Sequence, residues 1–232
     1  MYNYYRMLYL LRSVEFIDTD TFILKIVPKK GEVFQFKPGQ YIQISAFDNI
    51  RSFSIASSPH TRDYLELCIR IYGGWTRKLS ELDIGSEISI DGPFGTFTWS
   101  DLYTNNVFLI GGIGISPIMS MIREMEIHNK KVQNVILYGN RTTTIPYKKE
   151  LDNICSKLHY SIQYILSAVG PNEKWNDYKG FINEEILLKE ANLESKPTFF
   201  ISGPPVFIEL MKKILIKFNI ESEKIKYERP EK

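Results

Sequence analysis

The sequence predicts a β plus α/β protein, with an antiparallel β-barrel followed by a Rossmann-like domain built on a parallel sheet. Three observations lead there. Residues 5 to 98 read as short apolar runs cut by turn residues, the spacing of a small barrel. After about residue 103, apolar runs alternate with segments of helical periodicity, the order that builds a parallel sheet with helices on both faces. The stretch "LIGGIGISPIM", residues 109 to 119, places an apolar run, a glycine turn and a helix start end to end. The boundary is expected near Trp99–Asn105. It divides the 232 residues into 1–101 and 102–232, each long enough for a core of its own.

In the first half the candidate strands are Met7–Phe16, Thr21–Val27, Tyr41–Ala46, Phe53–Ala56, Leu65–Ile71 and Glu87–Asp91. Between them stand Lys30-Gly31, Pro38-Gly39, Ser58-Pro59, Gly73-Gly74, Gly85 and Gly92-Pro93, residues that supply the backbone angles of turns. One short helix is expected near Thr76–Leu82, with Thr76 as its cap. In the second half, strands are expected at Val107–Ile110, Asn134–Tyr138, Tyr160–Leu166 and Thr198–Ile201. Helices are expected at Pro117–His128, Tyr147–Leu158, Glu184–Ala191 and Pro205–Phe218. Ile118, Met121, Ile122 and Met125 form one apolar helical face, Ser116 reads as its N-cap and Pro117 as the first helical residue.

Composition narrows the function classes. Hydrophobic residues at 44% and charged residues at 24% are ordinary for a globular chain, and a net charge of +2 offers no case for nucleic-acid binding. Cys68 and Cys155 form no CxxC pattern, and the three histidines are not at ligand spacing. No metal site, disulfide framework or cysteine-ligated cluster is therefore expected, and redox chemistry would need an organic cofactor. The opening segment MYNYYRMLYLLRSVEF is interrupted by Arg6 and Arg12 and is too short to span a bilayer. It reads as the lead into a first strand of a cytoplasmic protein, with no transmembrane segment.

Three stretches can hold anions. The turn Gly111–Gly114 points helix-start amides and the positive end of a helix dipole at whatever occupies it. Taken alone it is equally a tight connection. Arg51, before the alternating run Ser52-Phe53-Ser54, could grip a phosphate through two guanidinium donors, or simply stay solvated. Gly73-Gly74 before Thr76 could open a second anion-binding helix start, or only a turn.

Taken in order, these stretches resemble the ferredoxin–NADP reductase superfamily of two-domain flavin reductases. Its flavin motif Arg-x-Tyr/Phe-Ser matches Arg51, Phe53 and Ser54, and its Pro-Gly-Gln-Tyr matches Pro38 through Tyr41. The pyrophosphate turn Gly-x-x-Ser/Thr matches Gly73 through Thr76, and Gly-Pro-Phe/Tyr-Gly matches Gly92 through Gly95. The nicotinamide-nucleotide turn matches Gly111 through Pro117, and the late Gly-Pro-Pro matches Gly203 through Pro205. The resemblance implies an FAD-binding barrel and an NAD(P)-binding domain. Arg51 and the amides near Gly73, Gly74, Trp75 and Thr76 would hold the FAD pyrophosphate. Phe53 would pack on the flavin, Ser54 would bond near flavin N5, and Ile69 would lie at the cofactor. Gly111, Gly112, Gly114, Ser116 and Pro117 would receive the NAD(P)H pyrophosphate, with Ser202, Gly203 and Pro204 near the nicotinamide.

The implied activity is hydride transfer from NAD(P)H to flavin N5, with electrons passed to an external acceptor such as a ferredoxin-like or other small redox protein. Free flavin, a ferric complex and a quinone stay open as acceptors, as does a role as an electron-transfer subunit of a larger complex. Two positions depart from the pattern. Ser202 stands where the family has Cys, and the end Tyr227-Glu228-Arg229-Pro230-Glu231-Lys232 offers only Tyr227 as a flavin-shielding aromatic. A thiol packs well beside a ring, so Ser202→Cys is expected to speed flavin reduction. Arg141, after the strand at 134–138 and with no carboxylate beside it, leans toward the 2′-phosphate of NADPH over the NADH ribose.

Overall fold

The computed structural model describes residues 7–170 and 174–228. The start and end of the chain discussed above, residues 1–6 and 229–232, lie outside the described residues. Two compact units emerge, one of residues 7–99 with 116–124, the other of residues 100–115 with the rest of the chain from Met125.

The first unit is a six-stranded antiparallel sheet of β1 (Met7–Phe16), β2 (Thr21–Pro28), β3 (Tyr41–Ala46), β4 (Asn49–Ser54), β5 (Leu65–Arg70) and β6 (Glu87–Phe94), in the order β4-β3-β6-β1-β2-β5. Just beyond β4, the Ala56 N–H donates to the Glu66 carbonyl of β5 at 2.8 Å, which joins the two ends of that order and curls the sheet into a barrel. Alternate residues fill its inside: Phe22, Leu24 and Ile26 of β2, Ile42 and Ile44 of β3, Leu65, Leu67 and Ile69 of β5, Ile88 and Ile90 of β6. Burying one such side chain contributes about 1.5–3 kcal/mol, so the barrel holds itself together through this set.

Three elements differ from the sequence expectation; one is β6, which runs through Gly92-Pro93 to Phe94 where a turn was expected after Asp91. β4 runs over Asn49–Ser54, not Phe53–Ala56, because Phe47 (φ +50°) and Asp48 (φ +57°) make a two-residue hairpin turn after β3. Phenylalanine is a poor residue for that geometry, so the turn left no mark in the sequence. Helix α1 spans Gly73–Ser80 and starts before the expected Thr76.

Residues 116–124 belong to α2 (Ile115–Ile127) and pack in the first unit through polar bonds. Ser116 Oγ donates to the Cys68 carbonyl (3.1 Å), and Ser120 Oγ donates to the Ser57 carbonyl (2.8 Å). Arg123 donates to the Ala56 carbonyl (2.9 Å) and to Glu66 Oε1 (2.7 Å), while Lys25 lies 3.3 Å from Glu66 Oε2. Glu66 is buried, and two cations compensate its desolvation.

The second unit is a parallel sheet of β7 (Asn105–Gly111), β8 (Gln133–Asn140), β9 (Ser161–Leu166), β10 (Tyr178–Lys179), β11 (Thr198–Ser202) and β12 (Ile225–Tyr227), ordered β10-β9-β8-β7-β11-β12. Helices α4 (Glu184–Glu190) and α5 (Pro205–Lys217) cover one face, where Ile186, Leu187, Ile208 and Met211 meet Val107, Leu109, Val135 and Leu137. Helix α3 (Lys148–Leu158) lies on the other face, where Tyr164 donates to Asp152 at 2.7 Å. The short strands β10 and β12 lie outside the sequence expectation, since two or three residues are too few to show a period.

Candidate functional site

β4 carries Arg51, Phe53 and Ser54. Arg51 pairs with Ile44 and Phe53 with Ile42, so the two share a face of the strand, while Ser54, paired with Tyr41, points the other way. Arg51 is exposed; Phe53 and Ser54 are half-buried. The Phe53 ring stacks on Trp75 of α1 with centroids 5.7 Å apart, and Trp75 is fixed by a 3.0 Å bond from Nε1 to the Ala46 carbonyl. Phe47 meets the same indole edge-on. This aromatic stack ties the Arg51 strand to the first turn of α1.

That first turn is open. Tyr72 holds the N-cap position without a side-chain cap, and a Cβ placed on Gly73 or Gly74 would meet nothing within 4 Å. The first-turn amides are therefore available to an anion. Thr76 is not the expected N-cap. It sits one turn into the helix, buried, where its Oγ1 accepts from the Tyr72 N–H at 2.7 Å and so ties down the entering chain. Ile69 places its side chain in the barrel core, which leaves only its backbone to meet a ligand.

In the second unit the chain leaves β7 toward β8, β9 and β10 on one side, and places β11 and β12 on the other. Ligands of such sheets bind at the carboxyl ends of the strands beside this reversal. Gly111–Gly114, after β7, and Ser202–Pro204, after β11, stand there together. A Cβ on Gly114 would lie 2.4 Å from the Ser202 carbonyl carbon, and one on Gly203 would lie 3.0 Å from Gly111 Cα. The two turns touch backbone to backbone. Residues Gly112–Gly114 form a 3-10 turn that runs straight into α2. Ser116 is consequently already helical and cannot take the extended N-cap geometry expected of it; its hydroxyl goes to Cys68 instead. Pro117 is the third residue of α2, still in the first turn, where its missing N–H is tolerated.

Ser202 ends β11, fully buried, and its hydroxyl donates to Glu228 Oε2 at 2.5 Å. The Glu228 N–H in turn donates to the Ile201 carbonyl at 3.0 Å. Sequence reasoning passed over Glu228, because a carboxylate after Tyr227 carries no signal until β12 brings it beside β11. Tyr227 itself lies in β12, its ring 4.4 Å from the Lys212 ammonium. Arg141 is exposed on the loop after β8. Burial pushes the Cys155 thiol up to about 12, with Asp152 adding to the shift, so it is no thiolate at neutral pH. No helix of the described residues is long and apolar enough to cross a membrane.

Residues 9–99 match the family model of the oxidoreductase FAD-binding domain, and residues 108–213 match that of the oxidoreductase NAD-binding domain. The chain belongs to the ferredoxin–NADP reductase superfamily. It is 32% identical over 195 residues to the glycine betaine monooxygenase reductase subunit of Pseudomonas aeruginosa (strain UCBPP-PA14), covering 79% of this chain and 53% of that protein. Identity to NADH-cytochrome b5 reductase 1 of Eremothecium gossypii is 28% over 211 residues, 85% of this chain and 74% of that one. The chain thus spans about half the length of the first of these relatives. The flavohem-like FAD/NAD-binding domain of nitric oxide dioxygenase from Vibrio cholerae O1 biovar El Tor shares the fold, with a TM-score of 0.84 at 20% identity over 96% of this chain and 97% of that one. As a member of this superfamily, the chain carries an FAD-binding and an NAD-binding oxidoreductase domain.

Proposed function

We propose that this protein is an NAD(P)H-dependent flavoprotein reductase that passes electrons to an external acceptor. The observation that carries the reading is the open, uncapped first turn of α1, tied by the Phe53–Trp75 stack to the strand bearing Arg51. That arrangement fits a pyrophosphate: helix-start amides on one side and a guanidinium on the other. Bound FAD would supply the chemistry, accepting a hydride and releasing electrons singly or in pairs.

The chain's own residues do the rest. Arg51 and the amides of Gly73, Gly74 and Trp75 bind the pyrophosphate. Phe53 presents a ring for packing, and Ser54 offers a hydroxyl near flavin N5. Gly111–Gly114 and Ser202–Pro204 line the carboxyl edge of the parallel sheet that receives the nicotinamide nucleotide. Their contribution is orientation, which alone accounts for much of the rate in such reactions. Relatives named as reductases of a monooxygenase and of cytochrome b5 support a small redox protein as the acceptor. Cys68 and Cys155 are both buried and not joined in a disulfide, which supports a reducing, cytoplasmic setting.

The test is an anaerobic titration of the purified protein with NADH and with NADPH, followed by a panel of acceptors. Bleaching of the flavin band by either coenzyme is expected. Failure to bind added FAD sinks the flavoprotein reading; bound FAD that neither coenzyme reduces points to an electron-transfer subunit.

A further inference from the structure

The chain has three histidines, His60, His128 and His159, and the fold brings two of them to one carboxylate. His60 stands in the turn Ser58–Thr61 of the first unit, closed by the Thr61 N–H donating to the Ser58 carbonyl at 2.9 Å. Its Nε2 lies 3.2 Å from Oε1 of Glu124, near the end of α2. His128 follows four residues after Glu124, just past Ile127, the last residue of α2. The ligand atoms of all three side chains lie within 4.8 Å of one another. His60 and His128 are far apart in sequence, so no ligand spacing shows there. A polar frame holds the glutamate: Ser58 Oγ donates to Glu124 Oε2 at 3.3 Å and accepts the His60 backbone N–H at 3.1 Å. One carboxylate oxygen is thus engaged by Ser58 while the other stands beside the His60 ring.

Two imidazoles at one carboxylate are more than an ion pair calls for. A single protonated histidine neutralises a glutamate, and a second beside it adds repulsion between like charges. Neutral imidazoles carry no such penalty, and together with a carboxylate they are the ligands that zinc takes. The 3.2 Å between His60 Nε2 and Glu124 Oε1 is close to the edge, about 3.3 Å, of a tetrahedron with metal bonds of about 2.0–2.1 Å. His60 and His128 are both exposed, so each ring can turn toward a shared ion without repacking the core. Magnesium and calcium, by contrast, take oxygen ligands. We propose that His60, Glu124 and His128 form a binding site for a zinc-class divalent transition metal, with water as the fourth ligand, and that the metal fastens the end of α2 to the Ser58–Thr61 turn. The site shares no residue with the cofactor-binding set named above, and the proposal does not rest on that set.

The test is calorimetric titration of the full chain with zinc chloride, after removal of any affinity tag and stripping with EDTA. One zinc per chain is expected, with micromolar or tighter affinity. His60→Ala and His128→Ala should each weaken binding at least about tenfold, the lower end of the loss seen when even supporting residues of metal sites are replaced. His159→Asn is the control and should leave the affinity unchanged, since His159 lies outside the cluster, exposed at the end of α3. Zinc at about a hundredfold excess over Kd should raise Tm by about 5–10 °C, and His60→Ala and His128→Ala should lose that rise. Both side chains are exposed, so the metal-free variants should keep the wild-type Tm. Absence of saturable binding by the wild type overturns the proposal. So does wild-type affinity in His128→Ala, which reduces the cluster to a His60–Glu124 ion pair. A loss in His159→Asn as large as in the other two variants overturns it as well, because it marks adventitious surface binding.

Discussion

Gly73-Gly74 and Gly111–Gly114 each lead into a helix, yet the space around them differs. At the α2 turn the glycines are demanded by the chain itself, since a Cβ on Gly114 would collide with the Ser202 and Gly203 backbone at 2.4–2.5 Å. At the α1 turn the chain demands little. Gly73 needs its left-handed backbone (φ +73°), but Gly74 takes an ordinary angle and has open space around it. A missing side chain therefore means different things in the two turns. In one it lets two turns of the same unit touch; in the other it leaves room that no described part of the protein fills.

The most direct way to break this contrast is Gly114→Ala. Backbone atoms on both sides must move, so the cost should reach the upper part of the about 1–3 kcal/mol typical of overpacking. In a chain of this size that lowers Tm by roughly 5–10 °C. Nicotinamide-nucleotide binding should be lost with it. Thermal unfolding checks the first effect, and an unchanged Tm would show that the two turns have slack.

Arg51→Ala should come next. Removing a charge-assisted contact to the pyrophosphate is expected to weaken FAD binding by about 1.5–3 kcal/mol while Tm of the apoprotein stays put, because Arg51 is exposed. Fluorescence titration with FAD reads this directly. Wild-type affinity would return Arg51 to the status of a surface charge.

Why the two turns could be located but not told apart in the sequence follows from the same residues. The strand, glycine and helix signals are local, and they put both turns, most strands and every helix of the second unit within a few residues of where they lie. What glycine 114 touches is set by Ser202, far along the chain, and no local pattern carries that. The same holds for Glu228 against Ser202 and for Arg123 against Glu66, both pairs being long-range polar contacts made only by folding. Ser116 and Thr76 misled for a related reason. Each looks like a cap, but the helix starts upstream of it, at glycines whose backbone freedom let the turn begin early. Phe47-Asp48 shows the converse, a turn made with a phenylalanine at its first position, where Phe47 packs on Trp75.

Ser202 sharpens the comparison at the packed turn. Sequence alone suggested that a cysteine here would speed flavin reduction. In the structure the hydroxyl is fully buried and donates to the Glu228 carboxylate, so the site is fitted to serine. A thiol is larger and a weaker donor. Ser202→Cys is now expected to lose about 1–2 kcal/mol of stability, part of the worth of a hydrogen bond to a charged group, and to bring no gain in the stopped-flow rate of flavin bleaching. A faster rate would show that Glu228 can release residue 202 when the nucleotide binds.

Gly74→Ala is the smallest and most discriminating change, because its effects on folding and on binding should have opposite signs. Alanine is a better helix former than glycine, and Gly74 sits in the first turn of α1 with an ordinary backbone angle and no neighbour within 4 Å of an added Cβ. The substitution should therefore raise the stability of the apoprotein by up to about 0.4–1 kcal/mol, chiefly by restricting the unfolded chain. If the open space is where the pyrophosphate approaches the α1 amides, the same methyl group stands in its way, and FAD affinity should fall while Tm rises. Measuring apoprotein Tm and FAD titration on one preparation separates the two effects. A rise in Tm with unchanged FAD affinity would mean that the cofactor reaches Arg51 without entering the α1 turn, and the pyrophosphate would then have to be held elsewhere on the barrel.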